Sequence, residues 1–115
     1  MQLVNATPHT VTIVSKDGSV LLTLPKGEFE LRCAEQRLES APVVVDGVAV
    51  PTSSVTYGAV YRSDGGEVPP VVEGVAYVVS ALVRQAAPER TDFYSPGPLV
   101  RDADGRPVGC LGLTR

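Results

Sequence analysis

The stretch Val43-Val44-Val45-Asp46-Gly47-Val48-Ala49-Val50 (VVVDGVAV) places an apolar run on each side of an Asp-Gly pair. Asp-Gly supplies the positive φ angles that a two-residue hairpin turn requires, and β-branched valines suit a pleated strand. The stretch therefore predicts a β-hairpin, with Pro51 ending its second strand.

The residues before this hairpin carry similar signals. Thr10–Ser15 alternates apolar and polar residues, and a turn at Lys16–Ser19 leads to a returning strand at Val20–Leu24. Glu28–Cys33 (EFELRC) alternates as well and predicts a third strand. The polar segment Ala34–Ser40 predicts a loop or one loose helical turn.

The second half of the chain mixes strands with one helix. Val55–Tyr61 predicts a weak strand, and Gly74–Val79 (GVAYVV) is continuously apolar, which is typical of a strand buried on both faces. The next residues predict a short helix over Ala81–Ala87, with Ser80 as its N-cap and Pro88 ending it. A closing hairpin is predicted from two further segments, Leu99–Arg101 and Pro107–Leu113.

The composition fits a folded protein of one domain, residues 1–115. Hydrophobic residues make up 43% and charged residues 20%, close to globular averages. Twenty valines, with ten prolines and eleven glycines between the apolar runs, favour strands. We expect an α+β fold that is mostly β: a small antiparallel barrel or sandwich with one short helix.

Charge and cysteine content narrow the function classes. A net charge of −3 argues against a nucleic-acid partner bound through its phosphates. No apolar run approaches the roughly 18 residues of a membrane helix, so no membrane partner is expected. Cys33 and Cys110 are predicted to be reduced thiols of a cytoplasmic protein. With one histidine and no paired cysteines, neither a metal site nor a cofactor is predicted.

The only histidine, His9, lies in Asn5-Ala6-Thr7-Pro8-His9-Thr10 (NATPHT). One interpretation makes it a turn residue whose ring bonds to the backbone. In the other, Thr7 and His9 line a pocket, because Pro8 fixes the backbone and directs the histidine side chain. Both interpretations remain open from the sequence.

A second set of candidate ligand-binding residues lies around the predicted helix. Ser80 is either only an N-cap or part of an anion site at the helix N-terminus. Arg84 and Arg90 are candidate anchors for a phosphate or carboxylate, since the guanidinium group is a planar fork of donors. Asp92 belongs to the same set, although Arg90 and Asp92 are equally explained as a surface ion pair.

Four short motifs together resemble a family of short actinobacterial and bacteriophage proteins without an established activity. They are Asn-x-Thr-Pro-His at 5–9, Tyr-x-Val-Ser at 77–80, Pro-x-Arg-x-Asp at 88–92 and Arg-Asp-x-x-Gly-x-x-x-Gly at 101–109. The resemblance spans most of the chain. It implies a bacterial or phage cytosol and carries over no catalytic role.

Three functions follow from these residues, in order of preference. The first is a non-enzymatic domain that binds a small anionic ligand, such as a nucleotide, through Thr7, His9, Ser80, Arg84, Arg90 and Asp92. The alternative is a structural or interaction module that forms a homo-oligomer or binds a partner protein through a valine-rich surface. The third is a small metal-independent hydrolase that uses His9 with Asp92 or Ser80.

Overall fold

A computed structural model describes all residues from Met1 to Arg115. It contains ten strands and one helix. Their bounds are β1 Gln2–Asn5, β2 Val11–Val14, β3 Val20–Leu24, β4 Leu31–Val45, β5 Val48–Arg62, β6 Val75–Val78, α1 Ala81–Ala86, β7 Phe93–Pro96, β8 Leu99–Arg101, β9 Pro107–Leu111 and β10 Leu113–Thr114. The prediction of a mostly β protein with one short helix is confirmed.

The strands form two four-stranded sheets and one two-stranded ribbon. The first sheet has the order β1-β6-β7-β10, the second has the order β3-β2-β9-β8, and β4 pairs only with β5. Three pairs run parallel: β1 with β6, β6 with β7, and β2 with β9. The expectation of antiparallel sheets is wrong in this respect, because these partners lie far apart in sequence and hairpin signals predict only neighbours. The strand order does not close into a barrel.

Strand β6 lies at the centre of the molecule and is buried on both faces. On one face, Tyr77 and Val79 belong to a core cluster with Leu31, Val83 and Phe93. The Tyr77 and Phe93 rings meet edge to face, with centroids 6.2 Å apart. On the other face, Val78 packs in a second cluster with β2 and β9 residues: Val11, Ile13 and Cys110. Burial on both faces explains why this strand is continuously apolar.

Helix α1 follows β6 as the sequence predicts. The Ser80 hydroxyl accepts a hydrogen bond from the Val83 backbone N–H at 3.3 Å, and the helix ends at Ala86 before Pro88. Val83 is its one buried residue, and it joins the first core cluster. This helix lacks the length and apolarity needed to cross a membrane.

The ribbon of β4 and β5 is much longer than the sequence predicts. Each strand has 15 residues, so the expectation of a loop or helical turn over Ala34–Ser40 is wrong, as is the expectation that Pro51 ends the hairpin. At a bulge, Ala41 and Pro42 lie opposite Pro51. Because no third strand pairs with the ribbon, the missing proline N–H groups are tolerated there.

Candidate functional site

The NATPHT segment is held by the side chain of Asn5, which is 6% exposed. Its Nδ2 donates to the His9 carbonyl at 2.8 Å and to the Pro25 carbonyl at 2.9 Å. Its Oδ1 accepts from the Thr7 backbone N–H at 3.0 Å and from the Thr7 hydroxyl at 2.6 Å. One amide therefore closes the turn on itself and ties it to the end of β3.

Backbone contacts fix the same turn against the start of β4. The Gly27 N–H donates to the Thr7 carbonyl at 3.2 Å, and the Leu31 N–H donates to the Ala6 carbonyl at 3.1 Å. A Cβ atom on Gly27 would overlap the carbonyl oxygen of Asn5 and lie 3.0 Å from that of Phe29. The approach of the two segments thus requires glycine at this position.

The hydrogen bonds of His9 all involve its backbone. Its carbonyl accepts from Asn5 and from the Thr7 hydroxyl, and its N–H donates weakly to the same hydroxyl at 3.4 Å. The imidazole is exposed and makes no hydrogen bond. His9 is therefore a turn residue through its main chain, and its ring is free to face a ligand.

Beside this turn lies an open cleft of about 860 Å³. Thr7, His9 and Ser80 all line it, so the structure brings together three of the six predicted ligand-binding residues. The rest of the lining comes from the NATPHT turn and β2, the start of α1, the base of β4 and β5, and β7, β8 and β9. Its larger apolar side chains are Leu31, Cys33, Tyr57, Leu82, Val83, Leu99, Val108 and Cys110. Its volume is that of a small-molecule site.

The charged groups at the cleft do not form an anion site. Glu30, Arg32 and Glu35 are the charged residues of its lining. Arg32 is already paired with Glu30, with Nε and Oε1 3.3 Å apart. Two carboxylates against one paired guanidinium leave no excess of positive charge for a phosphate or carboxylate.

The other three predicted residues, Arg84, Arg90 and Asp92, do not line the cleft. The Arg84 Nε donates to the hydroxyl of Ser95 at 2.9 Å. Arg90 forms a bidentate pair with Asp92, with both distances 2.8 Å, and its guanidinium lies 4.4 Å above the centre of the Phe93 ring. Both guanidinium groups are thus engaged with other side chains rather than directed toward a ligand.

The Arg90–Asp92 pair is more buried than a surface ion pair. The two side chains are 15% and 8% exposed. Hydrogen bonds from Arg90 hold the pKa of Asp92 below its usual value, despite a burial effect in the opposite direction. The pair closes the edge of the first core cluster beside Phe93.

The residues required for a hydrolase are not assembled. No hydrogen bond joins His9 to Ser80 or to Asp92; the Ser80 hydroxyl caps α1, and Asp92 is held by Arg90. There is also no group of three or more His, Cys, Asp or Glu side chains arranged to hold a metal ion. In this arrangement His9 activates neither Ser80 nor Asp92.

The most unusual feature of the surface is the outer ribbon, residues 34–59, which we call the arm. Every residue in it is exposed except Thr52 and Val55, which are partly exposed. The protein has a radius of gyration of 17.8 Å, against about 13 Å for a compact domain of this length. The arm therefore extends away from the core and adds none of the 17 buried residues.

The two faces of the arm differ in charge. Alternation along β5 is uninterrupted from Val48 to Tyr57, so the register with β4 assigns each residue to a face. One face, the charged face, carries Val44, Ala49, Glu39, Ser53, Arg37, Val55, Glu35 and Tyr57. The opposite face, the uncharged face, carries Val45, Val48, Val43, Val50, Ser40, Thr52, Leu38, Ser54, Gln36 and Thr56.

Four valines form an apolar patch where the uncharged face reaches the tip. Val43 lies opposite Val50, and Val45 lies opposite Val48. These side chains are between 40% and 62% exposed. Sequence reasoning identified the hairpin but missed its position at the end of a long arm, because the polar residues of β4 carry no apolar alternation.

Comparison with known proteins adds no identification: no family model, no curated protein and no solved structure matches this chain.

Proposed function

We propose that this protein is a non-enzymatic, cytoplasmic interaction module that binds a partner protein through its arm. The observation that supports this most directly is the uncharged face, where four exposed valines lie together on a ribbon with no core beneath it. Exposed apolar patches of this kind mark interaction surfaces. The free thiols of Cys33 and Cys110 support the cytoplasmic location.

The extent of the surface supports the same function. The accessible area is 7763 Å², whereas a compact monomer of this mass is expected to expose about 6,000 Å². A two-stranded ribbon alone in water is only marginally stable, because neither face is covered. A partner that covers one face removes apolar area from water and stabilises the extended arm.

The proposal includes a sandwich-like arrangement of the two four-stranded sheets as the support for the arm. The second core cluster favours this arrangement, since it joins Val78 of the first sheet to Val11, Ile13 and Cys110 of the second. The base of the ribbon packs on the other face of the first sheet through Leu31. The arm therefore projects from a fixed layer of the molecule.

Binding of a small ligand is the second candidate function, and the cleft favours it. Thr7, His9 and Ser80 place polar groups on a largely apolar wall, the usual composition of a small-molecule site. The ligand that fits this lining is mostly apolar with a few hydrogen-bonding groups. The anionic ligand expected from Arg84 and Arg90 has no support here, because neither residue lines the cleft.

Site-specific photocrosslinking in the native cells tests the proposed function. A photoreactive amino acid replaces Val48 on the uncharged face or, as the matched control, Val72, an exposed residue of the loop before β6. We expect a discrete covalent product with a protein from position 48 and none from position 72. Equal labelling from both positions, or no protein product from position 48, would overturn the proposal.

A further inference from the structure

We infer that the partner of the arm is a second copy of this chain. In this dimer the two arms point in the same direction and are related by a two-fold axis parallel to their length. The uncharged face of one arm packs on the uncharged face of the other. This inference rests on the proposed function and adds the identity of the partner. The resulting contact is a four-stranded sandwich made from two ribbons, with the faces about 10 Å apart.

The distribution of charge on the arm favours contact between two uncharged faces. The charged groups of β4 within the arm, Glu35, Arg37 and Glu39, all lie on the charged face. Arg37 is engaged on that face, where its Nη1 donates to the Ser53 hydroxyl at 2.9 Å. Joining two uncharged faces therefore takes none of these side chains from water, and the six charges of the two β4 strands stay solvated. The fourth charged residue of each arm, Asp46, lies in the turn at the tip, between the paired residues Val45 and Val48.

The apolar groups coincide in this arrangement. A two-fold axis along the arms places the valine patch of one copy on the valine patch of the other, and Leu38 near its equivalent. An antiparallel arrangement would instead set the valines against Gln36 and Thr56. The parallel arrangement buries apolar groups against apolar groups, which is the more favourable pairing.

The available area is sufficient for a specific contact. The four valines and Leu38, which is 52% exposed, offer about 400 Å² per copy, and the five polar residues of the same face bring two copies to about 1,200 Å², the lower end of stable interfaces. The dimer should therefore form with moderate affinity and dissociate on dilution.

The cleft is a poorer site for the tip of a second arm. Its lining includes the ionisable side chains of Glu30, Arg32 and Glu35. Valines inserted there would take these groups from water without supplying hydrogen bonds. The uncharged face of another arm carries no such cost.

Sedimentation equilibrium on the full chain tests the inference, with two matched variants. Val48→Lys lies on the uncharged face and Val44→Lys on the charged face, in the same tip and at similar exposure, 62% and 70%. We expect a dimer for the unmodified protein and for V44K, and for V48K a dissociation constant raised at least about tenfold. Circular dichroism of both variants checks that the fold is retained.

Mixing two variants tests the parallel arrangement. V48K and V48E should each be monomeric because like charges meet across the axis, and their equimolar mixture should recover a heterodimer. A monomeric unmodified protein at high micromolar concentration would overturn the inference, as would a V48K dimer as tight as that of V44K. Failure of the mixture to dimerise would overturn the parallel arrangement.

The photocrosslinking experiment separates this inference from the proposed function. A product with twice the mass of the chain supports both. A product with a different protein upholds the interaction function and overturns the second copy as the partner.

Discussion

Replacing Asn5 with aspartate tests whether one amide holds the NATPHT turn. The change preserves shape and the acceptor for Thr7, but it removes the donors to the carbonyls of His9 and Pro25, at 2.8 and 2.9 Å, and the longer contact to Leu24 at 3.4 Å. The Nδ2 group carries two hydrogens, and each of the two short hydrogen bonds costs about 1 kcal/mol when it is lost. A carboxylate placed among carbonyl oxygens in a buried site adds about 1–2 kcal/mol.

We therefore expect Asn5→Asp to lower the free energy of unfolding by about 3–4 kcal/mol at pH 7. For a domain of this size, the midpoint of thermal unfolding should fall by about 12–16 °C. Urea titration followed by far-UV circular dichroism, at one protein concentration for both proteins, measures the loss. The m-value should stay constant, because the surface exposed on unfolding does not change.

The effect should depend on pH in a defined direction. The introduced carboxyl is ionised less readily in the folded state, so its folded-state pKa lies above the unfolded value of about 4. The destabilisation is then complete above the folded-state pKa and shrinks as the pH falls toward the unfolded value. A loss below about 1 kcal/mol at pH 7, or a loss that does not shrink in acid, would refute the role assigned to the Asn5 amide.

Three further substitutions, one of them paired with a control variant, test other parts of the structure. His9→Ala should change the stability by less than about 0.5 kcal/mol in urea titration, because only its backbone is bonded; a larger loss would give the ring a structural role. Gly27→Ala should lower the free energy of unfolding by about 2–4 kcal/mol, because the added Cβ overlaps backbone carbonyls. In the control Gly58→Ala the nearest atom lies 3.6 Å from the added Cβ, so thermal melts should show a loss for Gly27→Ala and none for Gly58→Ala. Asp92→Asn should cost about 2 kcal/mol at pH 7. The pKa of Asp92 is lowered by Arg90, so the contribution of the ionised carboxylate is complete above about pH 4 and is lost as the pH falls through the folded-state pKa. Measured across that pH range, the free energy of unfolding should fall less in acid for the variant than for the unmodified protein. An equal fall in both proteins would contradict this account.

The sequence predicts the elements whose signals are local. The Asp-Gly turn of the Val43–Val50 hairpin, the buried strand β6 and the Ser80 cap of α1 each depend on a few adjacent residues, and all three are found in the structure. The parallel pairs are not local, since β1 meets β6 across about 70 residues of chain. No short-range pattern specifies that pairing.

The length of the ribbon escapes prediction for a different reason. Strand signals come from the alternation of apolar residues over a core, and the arm has no core. Between the bulge and the base of the arm, most pairs include a polar residue, such as Ser40 with Thr52 and Gln36 with Thr56. Pro42 and Pro51, which normally argue against a strand, lie at a bulge where no ladder bond is lost.

The candidate site is predicted in part. Thr7, His9 and Ser80 meet at the cleft because each lies at the end of a strand or helix. Arg84 and Arg90 carry the chemistry of an anion site, but the Arg84 Nε donates to Ser95, and the Arg90 Nε and Nη2 donate to Asp92. Which partner satisfies an arginine is decided by tertiary packing, which the local sequence does not encode. The structural role of Asn5 had one signal in the sequence, the Asn-x-Thr spacing. This spacing allows the Asn5 side chain to hydrogen-bond the backbone two residues further on.

The separation of the arm from the core has a consequence for how this protein changes over evolutionary time. Residues 34–59 contribute no buried side chain, so substitutions there leave the packing around Phe93 and Val78 intact. Most mutations that damage a protein do so by unfolding it, and substitutions in the strands of this segment remove no core contact. The surface of the arm is therefore free to drift, or to be redesigned, while the body that carries it remains folded.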